Sequence, residues 1–329
     1  MDNNEIDAII ARAMQEYVGV NPQANSTAPS IEQEPVAYPE AGDPYIPETA
    51  NAVDEANEVI DNMMDIAESS SNEEPDEDDN VEGGIPRNPG SLEVDDSDSR
   101  FRGAEWFEDF KKLDITIAGV GGIGSYVAFL VSRLKPNSIS IYDNDTIEEA
   151  NLSGQLFARR DIGRSKVAAV GDVIFDFSGY SSVFENHTMF GANSPMHPIL
   201  VCGFDNMASR EAAFLKWETR VNRATKKDRK EYLFIDGRLA AEDFQVFCIT
   251  GDNQWAINEY KKNYLFTDSE ADEVICSYKQ TSYVANMIGT VITNLLVNFA
   301  YNTEDRPIVR SLPFMTEYSA TTMLLKVTN

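Results

Sequence analysis

The sequence predicts an α/β fold, a sheet covered by helices, occupying the C-terminal two thirds of the chain behind an acidic arm. Two observations carry this reading. The apolar, β-branched run "LDITIAGV" enters Gly119-x-Gly121-x-x-Gly124, a helical pattern follows, and a second strand "SISIYD" ends at Asp143. The charge is also segregated: residues 1–100 hold 26 acidic against 3 basic side chains, whereas residues 101–329 hold 29 against 24. Most of the net charge of −28 therefore belongs to the arm.

The arm, residues 1–100, carries 9 of the 14 prolines and the run "SSSNEEPDEDDNVEGG". Such a composition buries too little apolar area to offset the entropy of ordering, so the arm is expected to be largely disordered. Two stretches interrupt it at helical spacing, one around Ile6, Ile9, Ile10 and Met14, the other around Val53, Ala56, Ile60 and Met64. Each is a candidate amphipathic helix, although isolated helices this short are marginal in water. The first residues are acidic where a secretory leader would be basic, and no uninterrupted apolar run is long enough to span a bilayer. Three widely spaced cysteines, Cys202, Cys248 and Cys276, suggest neither a disulfide framework nor a paired-cysteine zinc site. A cytoplasmic protein is expected, and so strong an acidic field argues against nucleic acid or anionic membranes as partners.

From residue 101 onward the elements alternate. The helix "SYVAFLVSRL" stops before Pro136, and Asp143 falls 19 residues after Gly124. Strand, glycine turn, helix, strand and acid together make a Rossmann-like unit. Its glycines let backbone approach a phosphate at a helix N-terminus while the carboxylate accepts ribose hydroxyls. The unit alone leaves the nucleotide open, and a nicotinamide cofactor serving an oxidoreductase is one reading of it.

The next residues narrow the choice. "YDNDTIEEANLSGQLFARRDIGRSKVAAV" resembles the segment of the ubiquitin-activating superfamily (ThiF, MoeB and the ubiquitin-like-protein activating enzymes) that runs D-x-D, N-L-x-R-Q and D-I-G-x-x-K. In the same order, "ILVCGFDN" resembles the family's later strand ending in Asp-Asn, and "FIDGRLAAEDFQVFCIT" its next strand and antiparallel excursion. "VICSYKQTSYVANMIGTVITNLLVNF" is similar to its cysteine-bearing loop and long helix. The likeness covers residues 101–329, implies a C-terminal antiparallel extension to the sheet, and leaves the arm unexplained.

The resemblance implies ATP-dependent adenylation of the C-terminal carboxylate of a small ubiquitin-like or sulfur-carrier protein. It implies that Gly119, Gly121, Gly122 and Gly124 shape a phosphate turn and that Asp143 holds the ribose. Asn151, Gln155 and Lys166 would contact the phosphates, and Asp205 would hold Mg²⁺. Ordinary roles stay open beside these: Asp143 and Asp205 can each be strand-ending turn residues, and Lys166 a solvated first-turn lysine. Cys276 stands where some relatives carry an acyl-accepting cysteine. Its acidic approach would raise the thiol pKa, while Lys279 and a helix N-terminus would lower it. No zinc is expected.

One departure matters. Gly154 replaces the family's arginine in N-L-x-R-Q, so phosphate charge is under-neutralised in a single chain. A homodimer in which Arg100 or Arg102 reaches the facing subunit's site would restore the cation. The alternative is a nucleotide-binding pseudoenzyme acting as an interaction adaptor. Past Cys276, Val284, Met287, Ile288, Val291, Ile292, Leu295, Leu296 and Phe299 mark a core or dimer-facing helix, and His187 and His197 have no nucleophile motif beside them.

Overall fold

The computed structural model describes residues 97–266, 280–304 and 306–329. The two amphipathic stretches of the arm, and Cys276 with Lys279, lie outside the described residues. Four parallel strand pairings form the first half of the sheet. A short helix α1 (Phe107–Phe110) precedes β1 (Asp114–Ala118), α2 (Gly122–Ser132) and β2 (Ser138–Tyr142). Two 3-10 turns, Glu149–Ser153 and Arg159–Asp161, lead to α3 (Lys166–Ser178), β3 (Val183–Asn186), β4 (Ile199–Cys202), α4 (Met207–Arg223) and β5 (Leu233–Ala240). The second half is β6 (Asp243–Thr250), α5 (Gln254–Asn263), α6 (Ser282–Asn302), β7 (Met315–Ser319) and β8 (Leu324–Thr328). The strand order is β3-β2-β1-β4-β5-β6-β7-β8, parallel through β5 and antiparallel from β5 to β8.

Successive residues of a strand face opposite sides of a sheet, and the core divides accordingly. Ile115, Ile117, Ile199, Val201 and Ile235 pack with α2, α3 and α6 on one face. Ala118, Leu200, Cys202 and Phe234 pack with α4 and α5 on the other. Covered on both faces, β4 reads as a continuous apolar run, ILVC, while β1 and β2 bury Thr116, Ser138 and Ser140 between their apolar residues. Cys202 and Cys248 are buried strand residues, as their sequence context suggests; burial holds the Cys202 thiol well above its ordinary pKa and pushes that of Cys248 up to about 12.

Helix α6 is the helix that the apolar spacing past Cys276 predicts. A window of 18 of its 21 residues is apolar enough, by length and composition only, to cross a membrane, although no uninterrupted apolar run is that long. Half of that window is buried inside the fold. The buried stripe is Val284, Ala285, Ile288, Gly289, Ile292, Leu295, Leu296, Phe299 and Ala300, while Met287 is exposed. The helix packs on α2 so tightly that a Cβ at Gly289 would stand 2.9 Å from Tyr126 Cβ.

The order of strands reverses at β1, whose neighbours β2 and β4 lead away on opposite sides. A crevice opens there at the strands' C-terminal ends, the usual ligand position in such sheets. Gly119, at φ +86°, turns the chain from β1 toward α2, and Gly203 N donates to Ala118 O at 2.9 Å across the split. A Cβ at Gly124 would lie 1.8 Å from Gly119 O. Gly124→Ala is therefore expected to lower stability by about 3 kcal/mol or more, because a backbone atom must move. Gly103→Ala, with nothing within 4 Å, should stay within about 0.5 kcal/mol of the parent in the same urea titration. Equal midpoints for the two variants would contradict this account of the turn.

Candidate functional site

A cavity of about 1060 Å³ opens over this crevice and runs onto the antiparallel half of the sheet. It is lined by Gly119, Gly121 and Gly122 of the turn, by Asp143, Asn151, Gln155 and Lys166, and by Asp205. The fold thus brings together every described residue assigned above to phosphate, ribose or metal, except Gly124, whose part is to let α2 reach the sheet.

Helix α2 has Gly121 at its N-cap and no side-chain cap, so its first amides are left for a ligand. Asp143 follows β2 and is already engaged: Oδ2 accepts from Val120 N at 2.9 Å and Oδ1 from Asp145 N at 2.9 Å. These bonds fix the carboxylate against the turn and leave it lone pairs for further donors. Burial raises its pKa above the usual 3.8, and the nearby Lys166 charge pulls it back.

The D-I-G-x-x-K segment works mostly as scaffold. Asp161 accepts from Ala158 N at 3.1 Å and from Arg164 Nη1 at 2.7 Å, Gly163 takes φ +84°, and Ile147 N reaches Arg164 O at 2.9 Å. The two loops zip together and deliver Lys166 to the start of α3. There it is buried, not solvated, and its Nζ donates to Asp145 Oδ2 at 2.7 Å. Asn151 Oδ1 accepts from Glu148 N at 2.9 Å, so its amide shapes the 3-10 turn as well as lining the cavity. Gln155 differs, since its Oε1 is buried without a hydrogen-bond partner and its amide would lie 3.8 Å from a Cβ at Gly121. An orphaned buried amide oxygen costs about 1–3 kcal/mol, which suits a position that awaits a ligand.

The pair Asp205-Asn206 divides its work. Asn206 caps α4 by accepting from Ser209 N at 2.8 Å, leaving exposed Asp205 at the cavity wall. No group of three or more His, Cys, Asp or Glu among the described residues could hold a metal by itself. A divalent cation at Asp205 would complete its shell with water and phosphate oxygens, as suits Mg²⁺. Charge points the same way: five carboxylates (Asp143, Asp145, Asp205, Asp243, Glu317) face the cavity with four cations (Lys166, Arg210, Arg238, Lys326). Those side chains alone do not offset a triphosphate.

Gly154 is required by its surroundings. A Cβ there would stand 2.7 Å from Gln280 O, and one at Gly122 would stand 2.1 Å from the Gln280 amide. The chain at Gln280 thus occupies the space an arginine would need. Arg100 and Arg102 do not line the cavity of their own chain; Arg102 Nε donates to Asp98 Oδ1 at 3.0 Å and Arg100 is exposed. His197 Nε2 lies 3.2 Å from Ser140 Oγ, but neither residue lines the cavity, and His187 bonds the Asn144 carbonyl at 3.0 Å.

Two groups of residues escape the sequence reading. Met189 and Phe190 form another cavity wall, and their loop is held by α4: Lys216 Nζ donates to Gly191 O at 2.7 Å and Ala192 O at 2.8 Å, and Trp217 Nε1 to Pro198 O at 3.2 Å. A lysine between Leu215 and Trp217 on an apolar helix face was the available signal. The second is a buried cluster of Arg210, Asp236, Arg238 and Tyr260, whose trace in the sequence is only the Asp-Gly-Arg of β5.

Because Asp143 holds its proton more tightly folded than unfolded, its ionisation works against folding. That contribution erodes stability as pH rises from 3.8 through the raised native pKa. Lys166→Ala removes the largest opposing charge. The Asp143 pKa, read from carboxyl carbon NMR shifts, should therefore climb further in that variant, and its stability deficit relative to the parent should be larger at pH 7 than at pH 3. A lower Asp143 pKa in Lys166→Ala would show that the two groups are not coupled.

Comparison with known proteins fits this geometry. Residues 98–327 match the ThiF family. The chain is 31% identical over 81 residues to ubiquitin-like modifier-activating enzyme 5 of Dictyostelium discoideum, covering 25% of this chain and 21% of that protein. It is 28% identical over 126 residues to the same enzyme of Xenopus laevis, covering 33% and 32%. The alignments thus span about a third or less of these curated relatives. Among solved structures, PaaA superposes with a TM-score of 0.53 at 11% identity, over 85% of this chain and 86% of that one, a likeness of fold alone. With a match that runs through all eight strands, the chain belongs to the ThiF family.

Proposed function

We propose that this protein binds ATP·Mg²⁺ and adenylates the C-terminal carboxylate of a small ubiquitin-like or sulfur-carrier protein. The observation that carries the reading is the uncapped N-terminus of α2 facing the same cavity as Asp143, Asn151, Gln155, Lys166 and Asp205. Asp143 receives the ribose hydroxyls, the α2 amides and Lys166 take phosphate oxygens, and Gln155 gains a partner for its orphaned amide. Mg²⁺ at Asp205 supplies the charge that the cavity side chains lack. In the reaction a carboxylate oxygen attacks the α-phosphorus. A new P–O bond forms, the bond to the bridging oxygen breaks, and pyrophosphate leaves with the electron pair. No proton needs to be moved at the nucleophile, so the residues act by orientation and charge.

A homodimer is part of the proposal, with Arg100 or Arg102 of a second copy adding a cation at the phosphates; loss of activity on dilution below the dimer dissociation constant would support it. Gly154 favours a second reading. The backbone of Gln280 stands where a phosphate-neutralising side chain would be, which fits a nucleotide-binding adaptor without catalytic turnover.

Calorimetry separates these from a site that binds no nucleotide. Asp143→Ala and Lys166→Ala are each expected to weaken ATP·Mg²⁺ binding by about 1.5–3 kcal/mol, the range for charge-assisted hydrogen bonds. Unchanged affinity in both would end the assignment. Carrier-dependent exchange of pyrophosphate into ATP then marks the enzyme, and tight ATP binding without exchange marks the adaptor.

A further inference from the structure

The cluster under the sheet end of the cavity has an unusual charge balance. Asp236, fully buried on β5, accepts from Arg210 Nε at 2.9 Å on one oxygen and from Arg238 Nε at 2.7 Å and Tyr260 Oη at 2.9 Å on the other. Two guanidinium groups thus share one carboxylate. Burial pushes the Tyr260 hydroxyl well above its ordinary pKa, aided by Asp236, so it stays a neutral donor and the cluster keeps a net charge of +1.

A buried positive charge is costly unless something offsets it, and part of this one is left open. Arg210 Nη2 donates to Gly237 O at 3.1 Å, and Arg238 Nη2 to Tyr260 Oη at 3.2 Å and Tyr264 O at 2.8 Å. Neither Nη1 makes a hydrogen bond to the described residues, and neither counts among the buried unpartnered atoms, so both are accessible in side chains that line the cavity. The cluster and the phosphate turn border one cavity: Arg210 and Arg238 line it together with Gly121, Gly122 and Ile123, and Arg210 belongs to the helix that begins beside Asp205.

We propose that Arg210 and Arg238, held in place by Asp236, form an anion seat for the free C-terminal carboxylate of the protein to be adenylated. The inference rests on the adenylation reading and adds where the nucleophile is held. Guanidinium forks match the planar two-oxygen geometry of a carboxylate, and two rigidly tethered ones fix its direction. The seat lines the same cavity as the turn proposed to take phosphates but is built from α4 and β5, so nucleophile and nucleotide would be held by different elements around one space. Because the cations are supplied within the chain, the seat needs no second subunit. Asp236 is a positioning residue, since it touches the arginines and not the ligand.

The test is an NMR titration of the full chain, following the arginine Nε–H signals, which are protected by their bonds to Asp236. The probe is N-acetylglycylglycine, with its C-terminal amide as control, each added with and without Mg·ATP. The expected result is a saturable shift of the Arg210 and Arg238 signals by the free acid and none by the amide. Arg238→Lys, which keeps the charge and loses the fork, should weaken the acid by about tenfold while ATP affinity changes by less than about twofold. If acid and amide act alike, or neither shifts these signals, the seat is wrong. If Mg·ATP alone shifts them and the acid adds nothing, the arginines serve a nucleotide phosphate and the carboxylate assignment is overturned. Failure of wild-type protein to bind ATP would instead sink the adenylation reading, whatever the acid does. Should Arg238→Lys not fold, the wild-type titration decides alone.

Discussion

The site depends on one steric constraint, the contact between Gly119 O and the Cα of Gly124. With no room for a Cβ at the second residue, α2 can begin directly above the split between β1 and β4. Its unpaired amides are thereby placed at the mouth of the crevice. The Asp143 carboxylate ties the end of β2 to the same turn through Val120 N, so the positions proposed for ribose and phosphate belong to one rigid unit. Everything proposed about nucleotide chemistry follows from that juxtaposition.

Around it the charges are arranged in pairs that a ligand would rebalance. Lys166 is held by Asp145, and Arg210 and Arg238 are held by Asp236. Such pairing keeps long side chains ordered before a ligand arrives, which lowers the entropy lost on binding. It also leaves the cavity near neutrality, so a polyanion needs an added cation. Gly154 sharpens this point, because the chain at Gln280 excludes an arginine from the place where the resemblance puts one.

The fold was legible because local patterns and tertiary demands agree. The buried strand β4 is apolar on both faces, and the spacing from Gly124 to Asp143 allows little besides a helix and a strand. The family came from the polar run after Asp143, since the glycine turn alone serves several cofactors. Lys166, read as a phosphate contact with a solvated first-turn lysine as the alternative, is buried because two loops zip beside it, a long-range effect that spacing does not encode. Arg210, Asp236 and Arg238 were missed for a related reason. They lie on α4 and β5, and only the sheet order brings them into one cluster. Helix α6 was legible from its spacing as a core or dimer-facing helix, and its packing on α2 and the sheet shows the core face.

Hydrogen exchange measured amide by amide, with and without a non-hydrolysable Mg·ATP analogue, tests the central claim most directly. Amides that donate to a phosphate lose their access to water, so protection should concentrate at Gly121 to Gly124 and at Asn151 to Gln155, with little change in α5. Protection centred elsewhere, or a saturating analogue that leaves the α2 amides exchanging as before, would contradict the account.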